Sequence, residues 1–293
     1  MEPAKNDETI EHEEIPLVAG YSTDAKASAY MQGGQEPVRS SVLTSNSIYL
    51  SSPLYRDAFA HQALRRHGHD LPTTYNVPAM RRAINELTDP AATVELIKQE
   101  KARNPEFAAW LDAKTFTNYQ TLDLSGYAPG TLGAAIREFQ GQGFDIHLGS
   151  TTVPETNDLK YILQRRNAGH DIEHMVTGLG PNTAGEAALA LCNVTSTARY
   201  FDPEFAHFLS HGLFFVAAGG IMRTALHYHH VLPTYLEGVE QGLRMGRELR
   251  KPLMMVKWED YLDWPLEDIA ADIGISERGP GAEWDWTTEA AMG

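Results

Sequence analysis

The sequence predicts a mostly α fold: a single helical domain behind an irregular, partly disordered N-terminal extension. Three observations carry this reading. From about residue 78 apolar residues recur at three- and four-residue intervals almost without a break. Period-two runs rich in β-branched residues are scarce, with Ser41–Leu50 the one candidate strand. The chain has 293 residues, 42% of them hydrophobic, enough to bury a sizeable core.

Residues 1–40 are polar, acidic and rich in Gly, Ser and Pro, which reads as a disordered segment. A helical domain is expected over 41–276, with folded structure starting around Ser52-Pro53-Leu54-Tyr55 and continuing through Phe59–Arg65. Helical periodicity then runs through Ala79–Leu87, Ala92–Lys101, Glu106–Ala113, Leu132–Gln142 and Asp158–Asn167. It continues through Ala184–Asn193, Phe205–His227, Pro233–Lys251 and Leu266–Ile273. Asp89-Pro90, Ala128-Pro-Gly130, Gly180-Pro181, Asp202-Pro203 and Lys251-Pro252 punctuate these helices. Residues 277–293, containing RGPGAEWDW, read as a flexible tail.

A formal charge of −15 argues against broad nucleic-acid binding, which needs Lys and Arg to neutralise phosphates. It also argues against simple electrostatic docking on an anionic leaflet. The single cysteine, Cys192, allows no intramolecular disulfide and fits a reducing compartment as a small buried residue. The opening MEPAKNDETIEHEEI has no apolar core, so neither a secretory signal nor an Arg-rich transit peptide is read there. The expectation is a cytoplasmic bacterial protein. Phe205–Met222 carries no formal charge, but its apolar part is shorter than the ~20 residues a membrane span needs. It is expected to be a buried helix, not a transmembrane one.

The most informative stretch is HDIEHMVTGLGPNTAGE, residues 170–186. A helical residue advances by ~100°, so His170 and His174 lie one above the other, with Asp171 ~100° further round the helix. The run breaks at Gly178-Leu-Gly-Pro181, and Thr183-Ala-Gly-Glu186 has the pattern of a capping box, placing Glu186 in the first turn of a new helix. A glycine-rich bend then brings Glu186 back towards the histidines. Two imidazoles and two carboxylates suit one divalent metal ion, Zn²⁺ first, with Fe²⁺, Mn²⁺ or Co²⁺ as alternatives. The competing reading makes the histidines ordinary surface or core residues and Glu186 a helix cap.

Other residues carry weaker signals. Glu173, three positions after His170, reads as a base, as an acceptor for an imidazole N–H, or as a solvated helix position. Arg165 and Arg166, about one turn before the motif, present forks suited to a substrate carboxylate or diphosphate, or are ordinary solvated charges. His207 and His211 sit four apart on an apolar helix, as a buried pair or as pocket lining. His227, His229 and His230 lack a nearby acid or cysteine, which weighs against a second metal site. Leu213–Met222 mixes bulky and small residues, and Gly238, Gly242 and Gly246 share one helix face. Such a stripe allows close helix approach or leaves room for a lipid chain, each buried CH₂ contributing about 0.8 kcal/mol.

His170-Asp-x-x-His174-x₁₁-Glu186 resembles the motif of the coenzyme Q biosynthesis protein 4 family. Pro129-Gly-Thr-Leu-Gly133 upstream, Thr177-Gly178 and Gly185-Glu186 within, and Leu232-Pro233 through Gly246-Arg247 downstream fit the same pattern. So do Trp258-Glu259 and Pro265-Leu-Glu-Asp268, and the resemblance spans roughly residues 80–275. It implies a helical protein holding one divalent metal through His170, Asp171, His174 and Glu186. It further implies peripheral contact with a membrane (the inner membrane of a bacterium) and action on a polyprenylated aromatic precursor of ubiquinone. The implied reaction replaces the ring's C1 carboxyl with a hydroxyl. Other ubiquinone-biosynthesis enzymes and a second copy of the chain are the implied partners. The alternative is a non-catalytic scaffold binding isoprenoid lipids for partner enzymes. Phosphohydrolases of the HD type lack the x₁₁-Glu spacing, and HExxH peptidases need Glu where this chain has Asp171.

Overall fold

The structure, a computed structural model, describes residues 47–66, 76–146 and 153–292. It divides into two units, residues 1–51 and 52–293. In the first, only one helical turn, α1 (Ile48–Ser51), lies within the described residues. The strand expected over Ser41–Leu50 is therefore helical at its end, and its residues 41–46, like the segment 1–40, lie outside the described residues.

The second unit carries α2 (Pro53–Leu64), α3 (Val77–Leu87), α4 (Pro90–Arg103), α5 (Pro105–Ala113), α6 (Leu132–Gly141) and α7 (Asp158–Thr177). After these come α8 (Thr183–Tyr200), α9 (Pro203–His227), α10 (Leu232–Glu248), α11 (Leu266–Ile273) and α12 (Trp286–Met292). There is no strand among the described residues, only an isolated bridge between Thr131 and Pro265. The mostly α expectation holds.

Two of the proline signals, Asp89-Pro90 and Asp202-Pro203, prove to be helix starts, as do Ser52-Pro53 and the unsignalled Asn104-Pro105. Ser52, Asp89, Asn104 and Asp202 each accept a hydrogen bond from a first-turn amide, and the proline that follows begins the helix. Proline has no N–H to leave unsatisfied there, and its fixed φ suits the first turn.

α8 is the central helix, buried along Ala184–Cys192 except at Glu186. α10 lies against it through the glycine stripe: a Cβ on Gly238 would come within 2.8 Å of the Ala184 carbonyl oxygen, and one on Gly246 within 2.5 Å of that of Cys192. The stripe is filled by the backbone of α8, so the lipid-chain option for these glycines falls. α9 covers another side of α8 and carries α2 on its far face. A second core joins α5, α7 and α9 through Phe107, Trp110, Tyr161, Phe201 and Phe205, whose rings pack at centroid distances of 5.1–5.8 Å. Each such ring pair contributes about 0.5–1.5 kcal/mol beyond its burial.

Two expectations need correction. α9 is long and apolar enough to cross a membrane by length and composition, and only 39% of its most apolar window is buried. It is a core helix packed between α8 and α2 that still leaves Phe214, Met222 and Leu226 facing outward. Residues 277–292 of the expected flexible tail are not loose. Trp284 joins the main core, Thr287 is fully buried, and α12 packs Ala291 with Tyr228 and Val231. The glycines of Gly279-Pro-Gly281, which suggested a loose end, are where this backbone lies directly on the α7–α8 bend.

Candidate metal centre

α7 is capped by Asn157, whose side chain accepts from the Lys160 amide at 3.1 Å, and it ends at Gly178 with φ 71°. That left-handed conformation suits glycine and turns the chain sharply. Asn182, not Thr183, is the N-cap of α8: its Oδ1 accepts from the Gly185 amide at 2.8 Å. The expected capping box is therefore displaced by one residue, since Asn caps at least as well as Thr. Glu186 stays in the first turn but is released from capping, and its carboxylate points to the histidines.

His170 Nε2 and His174 Nε2 are 3.3 Å apart. Glu186 places Oε1 3.4 Å from His174 Nε2 and Oε2 3.7 Å from His170 Nε2. His174 Nδ1 donates to the Leu179 carbonyl at 2.5 Å. A carbonyl only accepts, so in the neutral ring the proton sits on Nδ1 and Nε2 offers a lone pair to the cluster. The Leu179 bend residue thus sets both tautomer and orientation.

Around a tetrahedral ion with arms of ~2.0–2.1 Å, neighbouring ligand atoms are about 3.3–3.4 Å apart. The His170–His174 and His174–Glu186 Oε1 separations each match an edge of such a tetrahedron, while the other carboxylate oxygen stands slightly further, 3.7 Å from His170. Asp171 is not among the converging atoms, but its Oδ2 is buried without a hydrogen-bond partner. A buried carboxylate oxygen left so is costly unless a cation or donor meets it. These residues fit a divalent metal.

Electrostatics agree. Burial disfavours the His170 cation, yet the Glu186 carboxylate more than offsets this and raises its pKa to about 9. Burial likewise opposes ionisation of Glu186, and the two histidines outweigh it, holding the carboxyl well below its usual range. Without metal the pair is imidazolium and carboxylate, so metal uptake releases a proton. The side chains of His170 and Glu186 keep 31% and 47% exposure while His174 keeps 5%, so the cluster is open on the His170–Glu186 side.

The remaining candidates scatter. Arg165 is committed to structure: Nη1 pairs with Glu259 at 2.5 Å and Nη2 donates to the Val256 carbonyl at 2.7 Å. It is therefore not the solvated charge that one reading of it gave, because the guanidinium is enclosed between α7 and the turn at 256–259. Arg166 reaches α9, where Nη1 donates to the Leu209 carbonyl. Glu173 is buried, not solvated, and accepts from Asn193 Nδ2 at 2.7 Å. His211 Nε2 and the Tyr55 hydroxyl are 2.8 Å apart, with His207 beside it, so this pair faces α2 and not the metal cluster. His227 Nε2 donates to the Leu64 carbonyl at 2.8 Å, while His229 and His230 are exposed. Asn193 escaped the sequence reading, although it lies seven residues after Glu186 and so on the same helical face.

A family model described as Coenzyme Q (ubiquinone) biosynthesis protein Coq4 matches residues 78–278. A Trypanosoma cruzi protein named ubiquinone biosynthesis protein COQ4 homolog 2, mitochondrial, is 27% identical over 200 residues, covering 66% of this chain and 75% of its own. A COQ4 homolog of Leishmania major is 26% identical over 156 residues, 52% of this chain and 78% of its own. A crystal structure from Nostoc punctiforme PCC 73102, described as a candidate ubiquinone biosynthesis protein, shares the fold. Its TM-score is 0.54 at 20% identity, over 76% of this chain and 96% of that one.

Proposed function

Because this chain belongs to the coenzyme Q (ubiquinone) biosynthesis protein Coq4 family, we propose that it converts a polyprenylated 4-hydroxybenzoate-derived head group by oxidative decarboxylation. The C1 carboxyl leaves as CO₂ and a hydroxyl from water replaces it, while O₂ takes up the two electrons and two protons released and leaves as H₂O₂. The observation that carries this reading is the open cluster of His170, His174 and Glu186 beside the partnerless Asp171 oxygen. We assign these four side chains as holders of one divalent ion, Zn²⁺ or alternatively Fe²⁺, Mn²⁺ or Co²⁺. When bound, the ion supplies a Lewis acid for the substrate carboxylate.

The chain's own groups do the positioning. The Leu179 carbonyl holds His174 in one orientation. Arg166, one turn before His170 and fixed to α9 by a single hydrogen bond from Nη1, has further N–H donors for an anionic substrate oxygen. Glu173, tied to Asn193, holds α7 and α8 in register beneath the cluster. The outward row Phe214, Met222 and Leu226 of α9, with Leu236 of α10, offers apolar surface to an isoprenoid tail or a membrane. Peripheral attachment to a cytoplasmic membrane face, partner enzymes of ubiquinone formation and a second copy of the chain complete the proposed setting.

The test is incubation of metal-loaded protein with a prenylated 4-hydroxybenzoate under O₂, followed by mass spectrometry. A product with CO₂ replaced by OH supports the reading. Bound metal without turnover moves the function to a lipid-binding scaffold.

A further inference from the structure

Residues 279–288 lie beyond the span that the family shares with this chain, yet they are built onto the connection between the two ligand-bearing helices. A helix ordinarily leaves four carbonyls at its end and four amides at its start without intrahelical partners. Here the C-terminal segment meets both sets. Arg278 donates Nη2 to the Met175 carbonyl at 2.7 Å and Nε to that of Val176 at 2.9 Å. The Gly279 and Gly281 amides donate to the Thr177 and Gly178 carbonyls, both at 2.8 Å. Those four acceptors are the last residues of α7 and its cap.

The same segment then serves the start of α8. Thr288 Oγ1 accepts from the Thr183 amide at 2.9 Å, and Thr287 Oγ1 accepts from the Ala184 amide at 3.4 Å while donating to the Trp284 carbonyl. Asn182, the N-cap, donates Nδ2 to Asp285 Oδ1 at 3.0 Å and to the Gly281 carbonyl at 3.2 Å. The backbones touch directly, since a Cβ on Gly279 would lie 2.6 Å from the Gly178 carbonyl oxygen. His174 is in the last turn of α7 and Glu186 in the first turn of α8, so the angle at this connection sets the distance between them.

We propose that residues 278–288 form a strap that positions the metal ligands, with Thr287 and Thr288 as positioning residues that never touch the ion. The strap fixes where α7 stops and α8 starts, and thereby holds Glu186 at 3.4–3.7 Å from the two imidazoles. This rests on the metal reading of the cluster.

The experiment compares wild type with Thr287→Val/Thr288→Val, which keeps side-chain volume and removes the acceptors. Thr287→Ser/Thr288→Ser, which keeps the hydroxyls, is the rescue. Two readouts are taken at one pH: amide hydrogen exchange over residues 178–186 in metal-free protein, and Zn²⁺ affinity by competition with a chromophoric chelator. The valine pair is expected to speed exchange at Thr183 and Ala184 and weaken Zn²⁺ binding about tenfold, the value of one or two lost hydrogen bonds. The serine pair is expected to restore both, with helical content unchanged throughout. Should the valine pair not fold, Asp285→Ala removes the Asn182 anchor from an exposed position and is expected to weaken binding severalfold. Unchanged Zn²⁺ affinity in a folded variant overturns the strap, as does equal loss in the serine pair. Failure of wild type itself to take up Zn²⁺ overturns the metal reading instead, and unchanged exchange in the valine pair then overturns the strap separately.

Discussion

Removing the Arg165 side chain leaves Glu259 a buried carboxylate without its ion-pair partner, their side chains being 5% and 12% exposed. Breaking such a pair from one side costs about 3–5 kcal/mol. Arg165→Ala is therefore expected to lower stability by that order in urea unfolding. A loss under 1 kcal/mol would return Arg165 to the substrate role that its position before the motif suggested. His211 gives a pH prediction. Burial, aided by neighbouring His207, lowers its pKa to about 4 from an ordinary 6.5. Between these values the unfolded chain binds more protons than the folded one, so stability rises with pH across the window. The contribution is complete above about 6.5 and is lost as pH falls towards 4. Relative to wild type, His211→Gln should flatten the fall of Tm between pH 6.5 and 4; parallel curves would mean His211 is not the group responsible.

Helix α11 was legible to the residue, because Pro265 precedes Leu266 and Gly274, with φ 107°, follows Ile273. The HDxxH face was equally legible, since i, i+4 geometry is local. What escaped depends on distance along the chain. The strap's bonds to the α7–α8 connection span 99–105 residues, and the short pattern Arg278-Gly-Pro-Gly281 has no period to reveal its docking surface. The choice between Asn182 and Thr183 as N-cap likewise turns on one residue that local preference does not resolve. The stripe on α10 offered two outcomes, and only the position of α8 decided between them. Gly242→Val is expected to cost at least the 1–3 kcal/mol of core overpacking, because its side chain would strike the Ala188 carbonyl. A variant as stable as wild type in thermal melts would show that α8 and α10 do not approach so closely.

For the molecule as a whole, a metal that binds only the folded chain adds stability by mass action. Zn²⁺ held free at one hundred times its Kd should contribute about 2.7 kcal/mol. At this chain length that corresponds to a Tm rise of about 4–5 °C, checked by thermal melts with and without the ion. The fold places two helix ends, a glycine bend and the C-terminal strap around one cluster, leaving solvent access only at His170 and Glu186. The most direct measurement of the central claim is metal content, by elemental analysis, of purified wild type and Glu186→Gln. The account predicts near-stoichiometric divalent metal in wild type and most of it lost in the variant, with the helical spectrum intact. No metal in wild type, or full retention in Glu186→Gln, would contradict it.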